Sequence, residues 1–468
     1  MTCSTCAVPL SYQQEMYWAA ERRRTIGYRL VADNRHVANT YGGIRVRGAF
    51  HVDVLQRSLN EVLRRHASLR TRLQTTADGR TVQIVTDADT VPVECIDVSR
   101  SRRSRSQASA ERAAAMEAAR AALGAFDYAA GLLVRAHVIK VSDDDSIVVF
   151  VVPHIVSDSV SVQVLIDEVL TLYAHFLHGR PTPLPEPEWQ YADFVGWQRD
   201  WVRREIAPRA DEYVTRHLVG ARPMRVPLDT NTCDEAATDA DAAEIRFVLD
   251  ERGIAAVHAL SKWQRVTPFV VMLSAFDALL ARWSGHTDVL LLAPFAARPT
   301  PPTQKVIGLF SNLCPLRADV SGDPPFADLL EQVQRSLLEA MDYRCVPHAV
   351  VSEMLRERGD ISCTGVGINA VPEGGRVMPR GCKALFDPDT EVLPYVVDTS
   401  SLAVRQMRGH LSLWVGFSAA GGISGRLMYR RASFAEQTIA RLANAFTAAL
   451  ERAADQPDRR LSYAFAEV

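Results

Sequence analysis

The chain has 468 residues, 47% of them hydrophobic, with 53 Lys and Arg against 55 Asp and Glu for a formal net charge of −2. That length exceeds one ordinary hydrophobic core, so two or more domains are expected, and the near balance of charge offers no global attraction to nucleic acid or to an anionic membrane. No N-terminal stretch has the apolar core of a signal peptide and no apolar run reaches the ~20 residues that span a bilayer, so the expectation is a cytoplasmic chain with reduced thiols.

Along the chain, Cys3 and Cys6 have metal-ligand spacing, but no second Cys or His pair lies near them, so no metal site is expected. Residues 12–22 open as an amphipathic helix and 41–46 read as a strand. Residues 52–66 read as a helix with Val54, Leu55, Leu59, Val62 and Leu63 on one face. Strands follow at 69–74 and 81–85, with Asp78-Gly79 as their hairpin turn. The Arg/Ser run at 99–106 reads as a solvated loop, with docking of an acidic partner as the sharper alternative. An Ala-rich helix at 110–123 precedes strands at 132–141 and 146–152.

The stretch Val152-Pro153-His154-Ile155-Val156-Ser157-Asp158-Ser159 carries the most chemistry. The apolar run before it reads as a buried strand that ends at Pro153, where a ladder donor is lost, and 160–177 has helical spacing. His154 therefore sits on a strand-to-helix turn, with an unperturbed pKa of about 6.5 that suits proton transfer near neutral pH. Ser157 or Ser159 is placed to cap the helix, whose first N–H groups could face a substrate oxygen.

Beyond it, the Pro-rich 181–187 reads as a linker, 189–217 as helical and the Asp-rich 230–243 as an exposed loop. The second half repeats the theme. Strands are expected at 244–249, 289–294, 409–417 and 425–429, and helices at 251–264, 268–284, 326–342, 346–356 and 434–453. Cys314, Cys345 and Cys363 read as core residues. The domains implied are 1–180, a linker at 181–188, and 189–468, two α+β halves with a ligand site between them.

The turn resembles the HHxxxDG signature of the condensation-domain superfamily of nonribosomal peptide synthesis, with Pro153 in place of the first His and Ser159 in place of the Gly. Four further segments are similar to the family's motifs in its order. They are Ser11 to Trp18 (S-x-x-Q-x-x-x-W), Arg65 to Thr71 (R-H-x-x-L-R-T), Tyr191 to Trp197 (Y-x-D-F-x-x-W) and Ile307 to Arg317 (I-G-x-F-x-N-x-x-x-L-R).

The resemblance implies two halves like chloramphenicol acetyltransferase, arranged as a V-shaped pseudodimer with the signature turn in a tunnel. It implies a free-standing enzyme that transfers an acyl group from a carrier-protein phosphopantetheine thioester to a small-molecule or carrier-bound amine. No bound cofactor, nucleic acid or membrane is involved. The alternatives are an ester-forming or coenzyme A-dependent relative, and a degenerate fold that recruits a partner enzyme to a carrier. His154 is the expected catalyst. Asp158 is expected to be structural and paired with Arg317, whose planar fork suits a carboxylate. Arg65, His66 and Arg70 read mainly as inter-segment contacts. Tyr17 or Trp18, Ser157, Ser159 and Asn312 are placed near the tunnel.

Overall fold

The computed structural model describes residues 7–27, 39–99, 106–222, 224–229, 242–358, 365–373, 386, 389–399, 410–418 and 420–466. Cys3, Cys6, Cys363, the basic run at 100–105 and the acidic stretch at 230–241 lie outside them. The chain forms two compact units. One comprises Met1–Trp201, Arg298–Phe310 and Gly374–Val404; the other comprises Val202–Ala297, Ser311–Glu373 and Arg405–Val468. The single boundary expected at 181–188 is therefore corrected. Two later segments return to the first unit, held there by strand pairing and by buried polar contacts described below.

The first unit is built on a five-stranded sheet in the order Glu391–Tyr395, Asn39–Arg47, Asp145–Pro153, Arg135–Ser142, Val93–Asp97. Its pairs are antiparallel except the last, which is parallel. Strand Asp145–Pro153 is central and covered on both faces, which explains an unbroken apolar run where a half-exposed strand would alternate. Val148, Phe150 and Val152 pack with Val162, Leu165, Ile166 and Val169 of helix Ser159–Leu177. Ile147, Val149 and Val151 pack with Ala110, Ala114, Ala118 and Ala121 of helix Gln107–Ala122. Small side chains on that helix let it lie close to the sheet.

Helix Ser159–Leu177, with a mean hydropathy of 1.4, is long and apolar enough to cross a membrane by length and composition alone, but 56% of its most apolar stretch is buried inside the protein, as in a core helix. Its apolar faces meet the sheet and helix Val52–Arg65.

The second unit holds a six-stranded sheet in the order Ser311–Asp319, Asp288–Ala296, Val366–Glu373, Leu411–Ser418, Ile423–Arg430, Ala242–Val248. Helices Glu251–Gln264, Pro268–Ser284, Phe326–Asp342 and Glu436–Asp455 share its core. The first two begin where the sequence places them because Asp250 and Thr267 each accept a first-turn N–H, and Pro268 follows the Thr267 cap. The mixed α+β class is as expected. Strands Val8–Pro9, Val93–Asp97, Ser311–Asp319, Val366–Glu373 and Glu391–Tyr395 were not anticipated, and residues 69 and 70 of the expected strand at 69–74 belong instead to a 3₁₀ turn, Ala67–Arg70.

Candidate active site

The signature turn follows from its local sequence. Strand Asp145–Pro153 pairs to its last residue, Pro153 opposite Asn39, and Pro153 holds φ −67°, ψ 140°. One 3₁₀ turn, His154–Val156, then leads to helix Ser159–Leu177. Asp158, extended at φ −134°, ψ −179°, caps that helix by accepting the Ser161 N–H at 2.7 Å. This corrects the cap expected from Ser157 or Ser159. A carboxylate suits the position better than a hydroxyl, since it also answers the partial positive charge of the helix start.

Ser157 is fully buried and is spent locally. Its Oγ donates to the Pro153 carbonyl at 3.0 Å and contacts Thr40 Oγ1. Ser159 is exposed and is the first helical residue. Among the described non-glycine residues only Arg265 and Asp323 have positive φ, so Ser159 stands where no glycine backbone is required.

His154 is half-buried, and its Nδ1 lies 2.6 Å from the Ser157 carbonyl. A carbonyl only accepts, so Nδ1 carries the proton, and in the neutral ring Nε2 is the basic nitrogen. Helix Tyr12–Gly27 supports the turn from the side. Gln14 Nε2 donates to the Ile155 carbonyl at 3.0 Å and to Gln83 Oε1 at 3.0 Å. Tyr17 meets the imidazole edge to face, with centroids 5.5 Å apart and planes at 66°. Trp18 instead donates to Thr81 Oγ1 at 2.8 Å.

The partner of Asp158 is Arg298, not Arg317. Arg298 Nη2 donates to Asp158 Oδ1 at 3.0 Å, and the Phe310 N–H reaches Oδ2 at 3.2 Å. Both side chains are almost fully buried, at 5% exposure for Arg298 and 3% for Asp158. Arg298 also donates to the Val306 carbonyl at 2.8 Å and to that of Thr303, and its guanidinium lies 4.1 Å from the Phe310 ring centroid. Ser161 Oγ accepts from Arg298 Nη2 at 2.9 Å and from the Gly308 N–H at 3.1 Å. Its one proton serves Asp158 Oδ1 at 2.8 Å or the Gly308 carbonyl at 2.7 Å. This network ties Arg298–Phe310 to the first unit. Arg317, in the second unit, forms a two-pronged pair with Asp288, Nε to Oδ1 at 2.7 Å and Nη2 to Oδ2 at 2.9 Å. Register explains it, because Arg317 lies opposite Leu290 and Asp288 is two residues along the same strand, on the same face.

Arg65 and His66 make the inter-segment contact expected of them. Both bind Glu168, Arg65 Nε at 2.9 Å and His66 Nε2 at 3.0 Å, and Arg65 also donates to the Pro185 carbonyl at 2.8 Å. Burial pushes the Glu168 carboxyl up, but the hydrogen bonds from His66 and Arg65 and their charges outweigh it and bring the pKa to about 2. Asn312 is committed to a turn of the second unit. Its amide donates to the carbonyls of Arg344 (2.9 Å) and Val346 (2.6 Å) and accepts the His348 N–H at 3.0 Å. Burial pushes the Cys314 thiol up to about 12 and the Cys345 thiol upward too, as befits packing residues. Sequence reasoning missed Arg298, Ser161 and the clamp made by Gln14. The Asp158-x-x-Ser161 spacing at a helix start was the available signal for Ser161.

The family profile described as "Condensation domain" matches residues 12–465. A linear gramicidin synthase of Brevibacillus parabrevis is 28% identical over 97% of this chain, which spans 8% of that protein. Phosphinothricin tripeptide synthetase PhsB of Streptomyces viridochromogenes is 29% identical over 97% of this chain, which spans 36% of it. Among solved structures, SgcC5 from Streptomyces globisporus superposes with a TM-score of 0.76 at 22% identity, covering 97% of this chain and 100% of that one. The X-domain from teicoplanin biosynthesis does so with 0.76 at 22%, covering 99% and 98%, and a related structure shows that X-domain in complex with OxyB.

Proposed function

Because the chain belongs to the condensation-domain family, whose general reaction is amide-bond formation in nonribosomal peptide biosynthesis, we propose that it transfers an acyl group from a carrier-protein phosphopantetheine thioester to an amine. The observation that carries the reading is the fixed imidazole, with Nδ1 donating to the Ser157 carbonyl at 2.6 Å. The basic nitrogen is thereby left at Nε2. The amine nitrogen attacks the thioester carbonyl and a C–N bond forms. Nε2 takes the proton the nitrogen sheds, the C–S bond breaks, and the pantetheine thiol leaves with that proton. Proton transfer by a positioned base contributes about 10²–10⁴-fold to such a step. No atom of a bound metal or organic cofactor is called on in this reading.

Asp158, Arg298 and Ser161 act at one remove. They hold the helix start and the loop Arg298–Phe310 on which the turn rests. A second reading, in which the fold only recruits a partner to a carrier, draws on Pro153 and Ser159, where the signature is broken. The turn nevertheless keeps His154, Asp158 and a buried arginine partner, and neither replacement strains it, which favours the enzyme. Initial rates with one acyl group on a carrier, on pantetheine and on coenzyme A, offered to amine and to hydroxyl acceptors, test the proposal. A carrier preference with amide product is expected. Equal or faster transfer from coenzyme A, or ester as the sole product, moves the chain to the other acyltransferase branch. Tight carrier binding with no transfer supports recruitment.

A further inference from the structure

We infer that Tyr17 is a positioning residue that fixes the plane of the His154 ring; the inference rests on His154 being the proton acceptor proposed above. One hydrogen bond at Nδ1 sets a pivot but not the plane of an imidazole, whose terminal torsion is broad and roughly two-fold. An aromatic ring packed against the imidazole restrains that plane. Residues 14 and 17 share a face of helix Tyr12–Gly27, and both point at the signature turn. Gln14 holds the backbone through the Ile155 carbonyl at 3.0 Å, and Tyr17 holds the ring, edge to face at 66° with centroids 5.5 Å apart.

The tyrosine is itself held, with only 6% of its surface exposed, on a helix tied to the same unit. Gln13 accepts from Gln198 Nε2 at 2.8 Å, and Ser11 Oγ lies 2.8 Å from the Tyr191 hydroxyl. Tyr17 stands at a position that the S-x-x-Q-x-x-x-W pattern leaves open, so the contact belongs to this chain and not to the motif. These restraints on the catalytic group come from separate places: Nδ1 from Ser157, the following backbone from Gln14, and the ring plane from Tyr17.

The test compares wild type with Tyr17→Met, which fills space without a ring, and Tyr17→Phe, which keeps one. The readouts are the ¹³C order parameter of the His154 imidazole in labelled protein and kcat with KM on a carrier-bound donor. Tyr17→Met is expected to mobilise the His154 ring and lower kcat about 10-fold with KM within about 2-fold, since small misplacements of a catalytic group carry costs of that order. Tyr17→Phe is expected to restore both ring order and most of the rate. Should Tyr17→Met not fold, Tyr17→Leu takes its place. An unchanged order parameter overturns the inference, and so does a mobile ring with unchanged kcat. If wild type shows no transfer at all, the proposed reaction falls, while the order parameter still decides whether Tyr17 holds the ring.

Discussion

Removing the Asp158 carboxylate should be among the most damaging single changes in the first unit. It accepts from Ser161 N–H, Arg298 Nη2 and Phe310 N–H. Asp158→Ala deletes a helix cap, worth about 1 kcal/mol, and leaves Arg298, 5% exposed, with an uncompensated charge. Breaking a buried pair in this way costs about 3–5 kcal/mol. At about 2–4 °C per kcal/mol for a domain of 150–250 residues, the melting transition should fall by about 6–20 °C. Arg298→Ala should be similarly costly, since it strands the carboxylate and frees the carbonyls of Thr303 and Val306. The double variant should fall short of the sum by about 2 kcal/mol or more, while Arg317→Ala with Asp158→Ala should add within about 0.5 kcal/mol. Urea unfolding of the single and double variants, with calorimetry to separate the units, measures this. Additivity of Asp158 with Arg298, or coupling of Asp158 to Arg317, refutes the assigned pair.

Glu168→Gln should weaken the protein at neutral pH and flatten its acid response. The depressed folded pKa of about 2 means that wild type holds this contribution, on the order of 3 kcal/mol, above the unfolded carboxylate range and loses it as the pH falls from about 4.5 toward 2. Urea midpoints across that window check it, and parallel curves for the two proteins would count against it. Asp277 lies in the second core at 4% exposure, and burial raises its carboxyl well above the ordinary value. The folded state therefore holds a proton that the unfolded chain gives up, so wild-type stability should decline as the pH rises above about 4. Asp277→Asn should remove that slope; an unaltered slope by calorimetry would contradict the reading. Gly308→Ala should destabilise by about 1–3 kcal/mol, because its Cβ would sit 2.0 Å from the Tyr191 ring. That ring is locked by its hydroxyl donating to the Leu309 carbonyl at 2.7 Å. A wild-type melting temperature would show that the segment yields freely.

The elements most legible in the sequence are those whose ends carry their own chemistry. Helices Glu251–Gln264, Pro268–Ser284 and Phe326–Asp342 match the reading residue for residue, and the first two are bounded by Asp250, by Thr267 with Pro268, and by Gly285. His154 and Asp158 were legible because strand, proline and helix pattern bracket them within a few residues. Arg298 was not, because its contact with Asp158 spans 140 positions and nothing local distinguishes it from Arg317. Strand Glu391–Tyr395 failed for a similar reason. It is short, contains Pro394, and exists only by pairing with Asn39–Arg47, far away in the chain. Ser157 and Asn312 drew attention by composition and motif, yet Ser157 spends its hydroxyl on its own turn and on Thr40, and Asn312 spends its amide on the backbone of residues 344–348.

The most direct test of the account is single-turnover transfer from a loaded carrier to an amine by His154→Ala, with folding verified by its melting temperature. The account predicts an unchanged melt and a rate about 10²–10⁴-fold below wild type. A folded variant that turns over at the wild-type rate would contradict the role of His154 and, with it, the reading of the site.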